Sequence, residues 1–178
     1  MLKVIIFSLL ATCLGCTLHF AYEWSHENRI AAVFSAINES VWEHIKIGIY
    51  GMLPIFLVSL FWNSATSVAV AAAAAFMVFM ILVPALFYPV EAIMHRHSIP
   101  ASIIEFAIAI FASMLVFDTF VQGIYTYPTV SLGIFLNIVV LLASSVFTFY
   151  PPKWFLFRDS RNGKYGFGAY EKNHRHRH

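Results

Sequence analysis

Residues Val68–Val90 read VAVAAAAAFMVFMILVPALFYPV, an apolar run without one charged side chain. At about 1.5 Å of rise per residue, such a run matches the roughly 30 Å hydrocarbon core of a bilayer. A helix lying on a soluble core keeps a polar face toward water. This one has none, so it predicts a membrane-spanning helix. On its amino-terminal side, Ile47–Trp62 is a second apolar stretch, reading back to Val41 and carrying Pro54 near its middle. On its carboxyl-terminal side, Ala101–Val121 and Val130–Phe149 are two more, and Leu2–Tyr22 is a further span at the start. Pro151 and Pro152 then end the last helix, because proline lacks the N–H that a helix interior needs. The expected fold class is all-α, a polytopic membrane helical bundle of about five transmembrane helices.

Composition agrees. Hydrophobic residues make up 60% of the 178 and charged residues 11%, with a mean hydropathy of +0.76. Soluble domains carry about 25% charged residues, so lipid is the expected solvent, and the length leaves no room for a separate soluble catalytic domain. The expected organisation is a helical domain over 1–149, with a re-entrant or interfacial loop at 23–46, and an aromatic and basic tail over 150–178. Within that loop Ile30–Ile37 is apolar but too short to span, and is expected to turn Asn38–His44 back toward the first helix. No internal repeat is visible, which disfavours an inverted-repeat transporter. Cys13 and Cys16 are too few for a disulfide framework or a structural zinc site. The stretch Leu10–Cys16 has some likeness to a lipoprotein cleavage site. Cys13 stands where Leu is wanted, however, so the first helix is retained.

Orientation follows from the basic residues. Lys153, Arg158, Arg161, Lys164, Lys172, Arg175 and Arg177 all lie in the tail. Five crossings with the tail in the cytosol also place Arg29, Lys46 and Arg96 inside, leaving only Lys3 outside. The expectation is an inner-membrane protein with its amino terminus outside and its carboxyl terminus cytosolic.

That topology gathers His19, Glu23, Glu39, Glu43, His44, Glu91, His95, His97 and Glu105 at the cytosolic helix ends, with Asp118 alone at the other end. Ionisable groups cost about 2.5–3.5 kcal/mol at the centre of a membrane helix, so their gathering at one end has two readings. In one, the pairs His19/Glu23, Glu39/Glu43 and Glu91/His95, each four apart, use the shared face of a helix turn to hold a divalent metal ion such as Zn, Fe or Mn. They would equally serve as general acid and base, Glu39, Glu43 and His44 being the catalytic candidates. In the other, Ser40-x-x-Glu43 and Ser102-x-x-Glu105 are capping boxes that satisfy helix-start N–H groups, and His19 and Glu23 belong to an interfacial belt with Phe20, Tyr22 and Trp24.

The segments His19-Phe-Ala-Tyr-Glu-Trp24, Asn38-Glu-Ser-Val-Trp-Glu-His-Ile-Lys46 and Pro151-Pro152 … Phe157-Arg-Asp159 … Gly163-Lys-Tyr-Gly166 resemble the signature of a family of small bacterial and archaeal integral membrane proteins whose function is uncharacterised. The likeness implies a fold and a location, but no activity. Glu91, His95 and His97 have no counterpart in that signature, which leaves His19, Glu23, Glu39, Glu43 and His44 as the candidate metal ligands. The expected partners are membrane lipid and a small-molecule or lipid substrate. No nucleic-acid-binding motif, nucleophilic triad or phosphate-binding glycine loop is present. The alternative is a non-catalytic membrane subunit or small transporter in which the polar cluster organises helix ends.

Overall fold

A computed structural model of the chain describes residues 1–94 and 99–174. His95, Arg96, His97, Arg175 and Arg177 lie outside the described residues, so the expectations placed on them are not taken further.

The fold is all-α. Helices α1 (Leu2–Trp24), α3 (Val41–Ser59), α4 (Ala65–Met94), α5 (Ile99–Phe120) and α6 (Tyr127–Phe149) are long and apolar enough to cross a membrane. Two short helices complete the set: α2 (Arg29–Phe34) between α1 and α3, and α7 (Phe167–His174) near the carboxyl end. A single 3-10 turn covers Phe155–Phe157, and Arg158 and Tyr165 form one isolated antiparallel bridge.

The spans extend the sequence expectations at several ends. The most extended is α4, which starts before Val68 and continues through Pro84 and Pro89 to Met94. Proline costs an intrahelical hydrogen bond but does not end a membrane helix when neighbouring helices satisfy the freed groups. By contrast α6 stops at Phe149, ahead of the Pro151-Pro152 pair.

Of the five long helices α3 is the most enclosed, and it packs against α1, α4, α5 and α6. Small residues make this possible. A Cβ at Gly51 would stand 2.7 Å from the Ala11 carbonyl oxygen and 3.0 Å from the Gly15 nitrogen. The α1 and α3 backbones therefore meet at a distance that only glycine allows, a common device where lipid supplies no hydrophobic drive for helix association. Gly15 is one turn before His19 and Gly51 two turns after His44, so this crossing carries the two imidazoles to the same end of the bundle.

At the opposite end, Lys3 meets Asp118 at 3.5 Å and tethers α1 to α5. The one basic residue expected outside is thus paired with the one acid expected there. Exposed aromatic residues ring both ends: Phe61, Trp62 and Tyr127 at this one, and Phe20, Trp24, Tyr150, Trp154 and Phe155 at the other. Amphipathic rings concentrate in this way at the two water interfaces of a bilayer.

The stretch between α1 and α3 does not extend away from the bundle. Asn28 caps α2 by accepting from the Ile30 N–H at 2.8 Å. Ala32, Ser35, Ala36 and Ile37 are all buried, and α2 packs against α1, α3 and α6.

Candidate metal centre

Three of the sequence candidates meet. One ligand atom each from His19, Glu39 and His44 lies within 4.8 Å of the others, in a cluster that is partly open. His19 comes from the last turns of α1 and His44 from the first turn of α3. Glu39 comes from the bent segment between α2 and α3.

The shape of the cluster follows from its hydrogen bonds. His44 Nδ1 is 2.9 Å from the Ser40 carbonyl oxygen. A carbonyl only accepts, so Nδ1 carries the proton and Nε2 is the atom that turns to Glu39. His44 Nε2 and His19 Nε2 stand 3.8 and 3.6 Å from the same oxygen, Glu39 Oε2. These separations exceed hydrogen-bond length. They are close to the roughly 3.3–3.6 Å between neighbouring ligands of a tetrahedral ion whose bonds are about 2.0–2.2 Å. A backbone carbonyl holding the far nitrogen is the usual support for a metal-binding imidazole. The donor set is therefore one that could hold a metal ion.

The other carboxylate oxygen, Glu39 Oε1, is 3.0 Å from Arg161 Nη2. Burial pushes the Glu39 carboxyl up. The pull of His19, His44 and Arg161 outweighs it and brings the group down from 4.5 to about 2. Glu39 is an anion across the physiological range.

Glu43 and Glu23 are not in this group. The Glu43 carboxylate is buried and committed elsewhere: Oε2 takes Lys46 Nζ at 2.7 Å and the Ile37 N–H at 3.0 Å, and Oε1 takes the Thr148 hydroxyl at 3.3 Å. The capping reading holds in half. The Ser40 hydroxyl caps α3 by accepting from the Glu43 N–H at 3.4 Å, but the Glu43 carboxylate does not return to Ser40, whose own N–H goes to Asn38 Oδ1. Glu23 shares α1 with His19 but is exposed. Four-residue spacing puts two side chains on one face of a continuous helix, and Glu39 precedes α3, so the rule does not pair it with Glu43.

Lys46 corrects the charge count made from sequence. Counted there with the basic residues of the inner loop, it is instead fully buried inside α3. Its three N–H bonds go to Glu43 Oε2, to Thr148 Oγ1 at 2.6 Å and to the Ala32 carbonyl at 2.8 Å. This exhausts the donors of an ammonium group and ties α2, α3 and α6 together.

Sequence reading missed Asp159 and Arg161 as neighbours of the site. The tail packs on the bundle end: Phe157 lies between Trp42 and Phe147, with ring centroids 4.9 and 5.4 Å away. Phe167 and Tyr170 pack edge-on against Tyr22. Residues Asp159–Gly163 form a turn, with the Gly163 N–H donating to the Asp159 carbonyl at 2.9 Å and Gly163 at φ +71. The aromatic and basic composition of the tail did not indicate which loop it would meet.

The molecule defined by these features is a helical bundle with five candidate membrane spans and a two-histidine, one-glutamate cluster able to chelate a metal ion. A model of the family of unknown function DUF6512 matches residues 2–167, nearly the whole chain, and the protein belongs to that family. No curated protein and no solved structure matches it.

Proposed function

We propose that this is an inner-membrane protein that binds a divalent metal ion through His19, Glu39 and His44 at its cytosolic face. The amino terminus is outside and the carboxyl-terminal segment inside. The observation that carries this reading is the convergence of two imidazole nitrogens on one carboxylate oxygen at 3.6 and 3.8 Å. With its proton on Nδ1, His44 presents a lone pair to an anionic oxygen, an arrangement that attracts a cation into the gap. Two histidines and one carboxylate suit Zn, Fe or Mn. Three protein ligands leave a coordination position open, as in catalytic rather than structural sites. An ion bound there supplies Lewis acidity toward an oxygen in that position. The protein orients the ligands, and the half-exposed Arg161 lies beside them to meet an anionic group. The ring of aromatic residues around this end favours a substrate drawn from the lipid interface or a small polar molecule.

A second reading has an observation of its own. Arg161 already balances the charge of Glu39, as Lys46 balances Glu43, so the cluster would serve to organise helix ends in a non-catalytic membrane component.

Metal content separates the two. The full chain, with His174, His176 and His178 replaced by glutamine, is purified in mild detergent without an affinity tag and titrated with zinc, iron(II) and manganese(II). The metal reading expects one equivalent of tightly bound ion, lost in His19→Ala, His44→Ala and Glu39→Gln variants that still fold. No stoichiometric binding of any of the three ions leaves the helix-end reading.

A further inference from the structure

Glu39 is the one ligand of the cluster with no helix to hold it, because it lies in the bend between α2 and α3. Three consecutive residues of the distant carboxyl-terminal segment hold it instead. Asp159 Oδ2 accepts from the Glu39 N–H at 2.9 Å. The Ser160 N–H and hydroxyl both donate to the Glu39 carbonyl, at 3.3 and 3.1 Å. Arg161 Nη2 takes Glu39 Oε1 at 3.0 Å. The remaining oxygen, Oε2, is the one turned to His19 and His44.

Asp159 is the centre of this grip. It is 1% exposed, and a carboxylate buried that deeply must be hydrogen-bonded. Its second oxygen, Oδ1, accepts from the Arg161 and Asn162 N–H groups at 2.8 and 2.9 Å. The group that holds the Glu39 backbone therefore also shapes the turn that presents Arg161. Phe157, two residues earlier, anchors the segment in the aromatic core.

We propose that Asp159 is a positioning residue of the metal centre, fixing Glu39 through its backbone N–H so that Oε2 meets the two histidines and acts as a one-oxygen ligand. This rests on the metal-binding reading above. Conserved supports of this type, one shell out from the ligands, typically change metal affinity roughly 10–100-fold when altered.

The isosteric change Asp159→Asn is a selective probe. An amide has one accepting oxygen, and the two N–H groups at the Oδ1 side hold it more strongly than the single one at the Oδ2 side. The amide NH2 would then face the Glu39 N–H, donor against donor, so the turn stays and Glu39 is released. The full chain with the three tail histidines replaced by glutamine is the reference. Its cobalt(II) and zinc affinities and its cobalt visible spectrum are compared with those of the same chain carrying Asp159→Asn. A Tyr170→Phe chain, which loses the hydroxyl contact with Glu27, serves as a control for general loosening of the tail.

The expected result is a roughly 10–100-fold loss of affinity and an altered cobalt spectrum in Asp159→Asn, with both measurements unchanged in Tyr170→Phe. Unchanged affinity and spectrum in Asp159→Asn, or an equal loss in Tyr170→Phe, overturns the inference. A reference chain that binds none of cobalt(II), zinc, iron(II) and manganese(II) overturns the metal reading itself, and with it this inference; where it binds only iron(II) or manganese(II), the affinity comparison is made with that ion. Should Asp159→Asn not fold, Ser160→Ala, which removes one hydrogen bond to the Glu39 carbonyl, takes its place. A smaller but measurable loss with a shifted spectrum is then expected, and no change overturns the proposal.

Discussion

Glu39 and Glu43 are separated by four residues and belong to two different kinds of polar cluster. Around Glu43 the chain supplies everything: a cation from Lys46, a hydroxyl from Thr148 and a backbone N–H from Ile37, all sealed from solvent. Around Glu39 the chain supplies a cation to one oxygen only. The other oxygen confronts two imidazole nitrogens across gaps wider than hydrogen bonds, and the cluster is partly exposed. Both clusters contain acids next to bases at the same end of the bundle. What separates them is whether the protein supplies a hydrogen-bonding partner to both carboxylate oxygens by itself. The closed cluster reads as structure and the open one as a place for an ion.

The largest test of that contrast is on the closed side. Lys46→Met leaves the Glu43 carboxylate buried without its cation, and breaking a buried pair from one side costs about 3–5 kcal/mol. The unfolding midpoint in mild detergent should fall accordingly. Pairing it with Glu43→Leu should recover part of the loss, because an apolar pair of similar volume replaces a buried ion pair at little cost. Recovery is incomplete, since the Ile37 N–H and the Ala32 carbonyl lose their partners at about 1–3 kcal/mol each. A single-variant loss below about 1 kcal/mol would show that Lys46 and Glu43 do not form a charged pair, and the contrast would collapse.

The second test acts on the open cluster from a distance. Gly51→Val puts a side chain against the Ala11 carbonyl, where even a Cβ would be 2.7 Å away. Overpacking of this kind costs about 1–3 kcal/mol. Because α1 must move from α3, His19 should also draw back from His44, and zinc affinity should fall without any ligand being changed. Zinc affinity that survives the measured loss of stability would remove His19 from the ligand set.

The two clusters were unequally legible in the sequence. The five long helices were readable because uninterrupted apolar runs such as Val68–Val90 are long and apolar enough to cross a membrane. The gathering of His19, Glu39, Glu43 and His44 at one end followed from the topology, since alternate spans return their ends to the same side. Which acid would face the histidines did not follow. Four-residue spacing treats Glu39 and Glu43 as neighbours on a helix, whereas α3 begins at Val41 and leaves Glu39 in the preceding bend. Lys46 looked like a loop charge because a sequence does not show that Glu43, Thr148 and Ala32 will saturate its three donors. Thr148 and Asp159 lie more than a hundred residues from the acids they serve, and contacts of that range have no periodic signature. The tail was legible as an aromatic and basic segment, but neither the burial of Phe157 nor the grip on Glu39 could be read from it.

A smaller effect is expected at Arg161. Its ion pair with Glu39 is half-exposed on the arginine side, and exposed pairs contribute about 0–1 kcal/mol. Arg161→Ala should therefore change the unfolding midpoint little. It also frees Glu39 Oε1, so the same variant should alter the cobalt spectrum if Arg161 keeps Glu39 to one bonding oxygen. A stability loss near that of Lys46→Met would place Glu39 in the closed class with Glu43.

The last expected effect is a pH dependence carried by Glu39. Burial raises its carboxyl, but the pull of His19, His44 and Arg161 outweighs this and brings it from 4.5 to about 2. A folded-state value below the unfolded one means that the ionised carboxylate stabilises the fold. That contribution is present in full above about 4.5 and is lost as pH falls through the interval down to about 2. Metal binding does not obscure this window, because imidazole ligands must be neutral to bind an ion and are protonated in acid. The measurement is the difference in unfolding midpoint between the unaltered chain and Glu39→Gln, followed in detergent from about pH 6 to about pH 3. The difference should be constant at the upper end and shrink once the pH passes below the ordinary carboxyl range. Acids remote from the site titrate in both proteins and cancel in the comparison, so the shrinkage reports Glu39 together with the two histidines coupled to it. A difference that stays flat across the whole interval would mean that the histidines and Arg161 exert no net pull on this carboxylate. The neighbours of Glu39 would then not be what keeps its carboxylate ionised in acid.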